Sequence, residues 1–382
     1  MQIIEALTWD HPRGFNALAA AARLPEVIGA GLDIRWHRQP LEGFESHPIA
    51  DLTARYDLVV LDHPHIGEAV DGNCLQSLED VFGEEIVAEL ARVSIGASLK
   101  SYHFADRHWA LPLDAATQVM ALRPDLLPGE VPTTWDDVVR LSRETGKVAL
   151  SLAGPHACLT LLSIAAALGE PPAESDSDVL ISSATGLQVY ELMAELSQRA
   201  PRSVRQKNPI GILGHMTEHD DVALCPLVYG YVNYAVAKTG HRLSFHNAPR
   251  VQAAGRPGST LGGTGIGISR RCHVTPELKA HLLWLLGRET QAGFIPDHDG
   301  QPSRRDAWHD EHVNERWGNF YRNTAETLEQ AYVRPRHDGY IAFQSKASAL
   351  LSRALDERRP GAAVVSELQS LYAVSRRRGG EI

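Results

Sequence analysis

The stretch Tyr56–His63, YDLVVLDH, decides the fold. Its centre, Leu58 to Leu61, is apolar at every position, as in a strand covered on both faces. Working outward towards the N-terminus, IIEALTW (residues 3–9) reads as a strand and GFNALAAAARL (14–24) as a helix with small residues on one face. LDIRWHR (32–38) follows as a strand of alternating polarity, and IADLTARY (49–56) as a short helix. Strands alternating with helices at this spacing predict an α/β fold with a parallel sheet covered on its faces. In such sheets ligands gather outside the carboxyl ends of the strands. Two of those ends carry nearly the same tail, TWDHPRG (Thr8–Gly14) and LDHPHIG (Leu61–Gly67), and both are expected to open on one crevice.

Beyond residue 108 the pattern changes. HWALPLDAATQVMALRPDLL (108–127) predicts an extended run broken at Pro112 and then a second alternating run. VPTTWDDVVRLSRETG (131–146) predicts a helix whose start resembles a capping box, with Thr133 followed by Asp136. KVALSLAG (147–154) reads as a strand, His156 to Gly169 as a helix, and TGLQVYELMAELSQRA (185–200) as a long helix. NPIGILGHM predicts a short helix, DDVALCPLVYGYVNYAV opens with a buried strand, and LGGTGIGIS is a strand after a Gly-rich turn. In TPELKAHLLWLLGRE, Thr275 is the expected N-cap and Pro276 the first helical residue. The last eighty residues read as helices and loops.

At 382 residues the chain exceeds one typical core, so two domains are expected. The formal net charge of −10, from 37 basic and 47 acidic residues, argues against nucleic-acid binding, which needs a basic surface. The longest apolar stretch, Leu159 to Gly169, is too short to cross a bilayer. Cys74, Cys158, Cys225 and Cys272 lie far apart, with no zinc or disulfide framework, and suit a reducing compartment. The start MQIIEALTW is already a strand pattern and shows no export signal. The expected location is therefore cytoplasmic, or periplasmic or extracellular if the native chain begins further upstream. SRRRGGEI (375–382) reads as a small basic tail at a frayed terminus.

Taken in order, YDLVVLDHPHIGEAV, WALPLDAATQVMALRPDLL with VPTTWDDVVRLSRE, DDVALCPLVYGYVNYA, and LGGTGIGISRRCHVTPELKAHLLWLLGRETQAGF with IPDHDGQPSRRDAW resemble the bacterial extracellular solute-binding proteins of family 1. These are the receptors of ABC importers. The resemblance spans nearly the whole chain. It implies a two-lobed, periplasmic-binding-protein-like fold of type II, with an interlobe cleft that closes on ligand. On that pattern the first lobe comprises residues 1–110 and 258–294, and the second residues 111–257 and 295–382. It also implies a small-molecule ligand and, for an exported chain, an ABC permease as partner. No cofactor, metal, nucleic acid or membrane insertion is expected.

Trp9 offers an apolar face, Asp10 and His11 hydrogen-bonding groups, and Arg13 a planar fork for a carboxylate or phosphate. The plainer reading is that Asp10 N-caps the next helix. Asp62, His63 and His65 end the buried strand, a poor place for three polar groups unless they face a cavity. Tyr229 and Tyr231, two apart, would share one side of a continuing strand and supply aromatic plates with hydroxyl tips. GGTGIG (262–267) lacks dinucleotide-loop spacing and enters a strand, so a close backbone approach is expected, with Thr264 as a ligand contact. On the resemblance, Asp114 lies in a lobe-crossing segment facing the cleft and Arg304 at the cleft rim. Neither a GxSxG nucleophile elbow nor a GxxxxGK[ST] phosphate loop occurs.

The leading expectation is reversible binding of a small polar solute, anionic or mixed polar-aromatic, by lobe closure. Arg13 would meet negative charge, while Trp9, Tyr229 and Tyr231 would hold the apolar part. The alternative is a cytoplasmic enzyme on the same scaffold, with His11, His63 and Asp10 as acid and base.

Overall fold

Apolar strands and Pro-started helices fold the first hundred residues into alternating layers. In the structure, a computed structural model that describes residues 1–236 and 240–378, the chain divides into two compact units. Unit 1 comprises Met1–Ala116, Gly262–Glu315 and Arg336–Asp338. Unit 2 comprises Thr117–Leu261, Arg316–Pro335 and the chain from Gly339 onward. Residues 295–315, expected in the second lobe, group with unit 1. The reason lies in their side chains: Gln301 donates to the Ala115 carbonyl at 3.1 Å, and the Ser303 hydroxyl donates to that of Pro112.

In unit 1, strand β1 (Gln2–Trp9) lies between β2 (Leu32–Gln39) and β3 (Leu58–Leu61), parallel to both. The register pairs Ala6 with Leu58 and Leu7 with Val59. Continued along both strands, it sets Trp9 level with Leu61 and Asp10 level with Asp62. The two Asp-His-Pro corners therefore follow the carboxyl ends of neighbouring parallel strands. A short hairpin joins β4 (His103–Phe104) to β5 (Arg107–His108), turning through Ala105 and Asp106 in the left-handed region. Strand β6 (Leu111–Leu122) is buried along its whole length, contributing its first half to unit 1 and its second to unit 2. It passes Pro112 without the expected break, because the start of a strand tolerates a missing N–H.

In unit 2, β7 (Leu224–Tyr229) and β8 (Ser244–His246) both run antiparallel to β6. The last strand, β9 (Leu261–Ile268), returns to unit 1 and pairs antiparallel with β3 from Leu58↔Ile268 to Leu61↔Gly265. KVALSLAG does not become a strand. Val148 makes only an isolated bridge to Leu224, and the chain then turns into the next helix.

Each unit has its own core. In unit 1, Leu7, Val59, Leu61, Ile66 and Leu75 pack with Ile49 and Leu52 from the short helix before β3. Unit 2 is built around the helix His156–Ala167, every residue of which is buried. Helices Ser183–Arg199 and Tyr340–Glu357 pack on it, and Gly361–Arg378 packs in turn on both of them. A helix this rich in apolar residues on every face is stable only under such cover. No helix of the described residues is long and apolar enough to cross a membrane. The end of the basic tail, from Gly379, lies outside the described residues.

Candidate functional site

The corner after β1 is built from its own sequence. The Thr8 hydroxyl donates to the Gly14 carbonyl at 2.7 Å, closing the turn. Helix α1 (Pro12–Ala21) starts with Pro12, and its cap is His11 instead of Asp10: the His11 Nδ1 accepts the Arg13 N–H at 3.1 Å. Asp10 points outward to Arg38, 3.0 Å away. The Trp9 ring stacks on His11, with centroids 5.2 Å apart and planes within 8°, and it covers Gly14. A Cβ at residue 14 would lie 2.2 Å from the indole nitrogen, so only glycine fits. The corner after β3 shares that logic, because a Cβ on Gly67 would lie 1.8 Å from the Arg336 carbonyl.

Arg13 is buried and makes a two-pronged ion pair with Asp114 of β6, its Nε 2.7 Å from Oδ2 and its Nη2 on Oδ1. Its guanidinium lies 5.5 Å from the Trp9 ring. The charge that meets Arg13 is thus Asp114. Asp114 is held in turn by close backbone approach. Gly263 of β9 has φ +91°, and a Cβ there would sit 2.4 Å from the Asp114 carbonyl, which explains the Gly-rich run. Thr264, beside it, is buried. Burial first, then the Arg13 charge, pushes the His11 pKa down to about 3. His11 is therefore neutral near pH 7, with Nδ1 engaged as a cap acceptor.

In the second corner Asp62 accepts the His63 N–H at 2.8 Å, capping a short turn His63–His65 that leads into helix Ile66–Asp71. His63 and His65 are buried, and the His63 Nδ1 lies 3.1 Å from Asp62. Tyr102 donates to the Leu61 carbonyl at 3.2 Å, seating the strand end. Unit 1 thus brings Trp9, His11, Arg13, Asp114, Asp62 and His63 to the ends of β1, β3 and their neighbours. Arg304 does not join them: it pairs in two-pronged fashion with Asp306, at 2.9 and 3.0 Å, in a separate surface pocket.

In unit 2, β7 ends at Tyr229, and a short helical turn follows from Val232. Tyr231 is therefore not on a continuing strand, and it is buried while Tyr229 is half-buried. Tyr229 belongs to a polar group that local sequence patterns did not reveal. Its hydroxyl is 3.4 Å from the Leu261 carbonyl, which also accepts from Arg334 Nη2 at 3.3 Å. Arg334 Nη1 donates to Gln344 at 3.1 Å. The His156 ring meets Tyr229 edge-on at 5.9 Å; burial, and then Arg334, hold its pKa at about 3. Deeper in, the Ser163 hydroxyl donates to Gln118 Oε1 at 2.6 Å and bonds Thr260 at 2.8 Å. The Gln118 amide nitrogen is buried with no hydrogen-bond partner among the described residues. The available signal was polar residues interrupting apolar runs: Gln118 in AATQVMAL, and Arg334 shortly after a buried tyrosine. Among the described residues no group of three His, Cys, Asp or Glu side chains is placed to hold a metal ion.

Residues 49–198 match the family model of the bacterial extracellular solute-binding proteins. Solved structures of the same fold include an Agrobacterium radiobacter K84 ABC-transporter solute-binding protein in complex with ribitol, with a TM-score of 0.79 and 18% identity over 97% of this chain and 98% of that one. Maltose-bound MalE3 of T. maritima gives 0.81 and 16%, over 97% and 99%. A solute-binding protein of Agrobacterium vitis S4 with bound D-mannitol gives 0.74 and 13%, over 100% and 99%. No curated protein matches.

Proposed function

We propose that this chain, whose residues 49–198 match the family model of the bacterial extracellular solute-binding proteins, reversibly binds a small, neutral, hydroxyl-rich solute, its two units closing on that solute, for delivery to an ABC permease. The observation that carries this reading is the buried Arg13–Asp114 pair beside Trp9. An anionic solute, the first expectation from Arg13, would bring its charge up against the Asp114 carboxylate. A hydroxyl both donates and accepts. It suits a pair that sets guanidinium donors and carboxylate lone pairs edge to edge. His11 and His156 are neutral and add no positive charge for an acid. The relatives' ribitol, D-mannitol and maltose are of the neutral class.

The test is calorimetry with matched neutral and acidic compounds, such as alditols and hexoses against the corresponding sugar acids. A saturable isotherm with a neutral member is expected. Arg13→Lys, which keeps the charge but loses the fork, should weaken it roughly 10-fold or more. Binding confined to the acids would overturn the proposal.

A further inference from the structure

Outside the region just described, four guanidinium groups converge on one surface cavity of unit 1. The cavity has a volume of about 480 Å3 and is lined by Arg92, Val93, Arg288, Arg304, Arg305, Asp306 and His309. These residues come from three stretches far apart in sequence: the end of helix Glu84–Val93, the turn after helix Pro276–Leu285, and the segment opening helix Arg305–His309. The fold therefore gathers them, and no local run of basic residues accounts for it. In a chain with a net charge of −10, collecting like charges carries an electrostatic cost that a counter-charge must offset.

Asp306 is the carboxylate of the lining. It grips Arg304 with both oxygens and lies 3.5 Å from Arg288. Arg92 is held by Glu89 at 2.7 and 2.9 Å, and Arg305 donates to the Arg92 carbonyl at 3.2 Å. Arg304 is nearly buried and fixes one wall, whereas Arg288 and Arg92 stand largely in solvent at the mouth. An isolated bridge between Ser94 and Arg304 ties two of the walls together. The cavity is thus an open cup rich in guanidinium groups, with one wall fixed by the Arg304–Asp306 pair.

We propose that this cup is a binding site for a phosphate group, distinct from the solute site. A monoanionic carboxylate would duplicate what Asp306 already does. A phosphate dianion has enough oxygens to accept from Arg288, Arg305 and Arg92 together, and guanidinium forks match its geometry. The volume exceeds what inorganic phosphate needs and falls in the range of small-molecule sites, so a phosphorylated small molecule fits as well.

The experiment is calorimetry with the full chain at low ionic strength, titrating inorganic phosphate, pyrophosphate and a sugar phosphate, with chloride matched for ionic strength. Saturable phosphate binding is expected, at least 10-fold weaker in Arg288→Gln/Arg305→Gln and declining as salt rises. Both substituted residues lie outside the core, and circular dichroism verifies that the variant is folded. Preference for the sugar phosphate over phosphate identifies an ester ligand, and the reverse identifies the free ion; either supports the site. Equal heats with chloride, or equal affinity in the folded variant, overturn it. Neutral-solute binding is measured on the same variant and should be unchanged, so failure here leaves the solute reading separately testable.

Discussion

At the scale of the residue, Arg13 and Asp114 govern everything around them. Each is buried, and each is the other's counter-charge across a hundred residues of chain. Removing one partner of such a pair leaves a desolvated charge, whereas replacing both with apolar groups leaves none. Asp114→Asn should therefore cost about 3–5 kcal/mol in urea unfolding, and Arg13→Met/Asp114→Leu distinctly less. A double variant as unstable as the single one would show that the stranded charge is not what destabilises Asp114→Asn. Gly263 is the second control point at this scale. Its positive φ and its approach to the Asp114 carbonyl exclude a side chain, so Gly263→Ala should lose about 2 kcal/mol or more. A midpoint unchanged from the parent would mean that β9 can shift without cost.

At the scale of the element, the cap of helix Trp135–Thr145 tests how finely a sequence can be read. The pattern TTWDD admits two frames, Thr133 with Asp136 or Thr134 with Asp137, and the structure uses the second in a reciprocal capping box. Thr134 accepts from the Asp137 N–H at 3.2 Å, while Thr133 is exposed. Thr134→Ala should thus cost about 1 kcal/mol and Thr133→Ala close to nothing, by thermal or urea unfolding. The one-residue slip shows what was legible. Apolar runs, Pro starts and Gly corners announced β1, β2, β3, β9 and the helix begun by Thr275 and Pro276, because those signals are local. The parallel register then brought the two Asp-His-Pro corners together. KVALSLAG looked as good as any strand yet found no ladder to join, since pairing is decided by neighbours and not by composition. The Tyr229 pair likewise failed when the strand ended at its first member. His156 and Gln344 were beyond reach, and Arg334 showed only as a charge shortly after a buried tyrosine. They share no motif or spacing, and only the packing of unit 2 brings them to Tyr229.

At the scale of the whole molecule, three histidines in different places carry the same electrostatic burden. His11 and His156 are held at about 3, and His281 at about 4, with burial the leading cause in each case. The unfolded chain takes up these protons near pH 6.5, while the folded chain refuses them until far lower. Below pH 6.5 the unfolded state therefore binds more protons, and stability must fall with falling pH. That contribution is fully present above pH 6.5 and is lost progressively as the pH drops towards 3–4. Asp125 acts in a lower window: its two-pronged bond from Arg123, at 2.8 and 2.7 Å, depresses it to about 2, so its contribution is lost only below the usual carboxylate value near 3.8. The two windows barely overlap, and the first decline belongs to the histidines. The limiting slope is about 1.4 kcal/mol per pH unit for each histidine. Urea midpoints measured at pH 7.5, 6.5, 5.5 and 4.5 should be level over the first step and fall over the next two. His281→Gln, which removes the buried ring stacked on Trp284, should flatten part of that fall. A profile level down to pH 4.5 would mean that these rings take up protons in the folded protein, and that the neutral character assigned to His11 beside Arg13 is wrong.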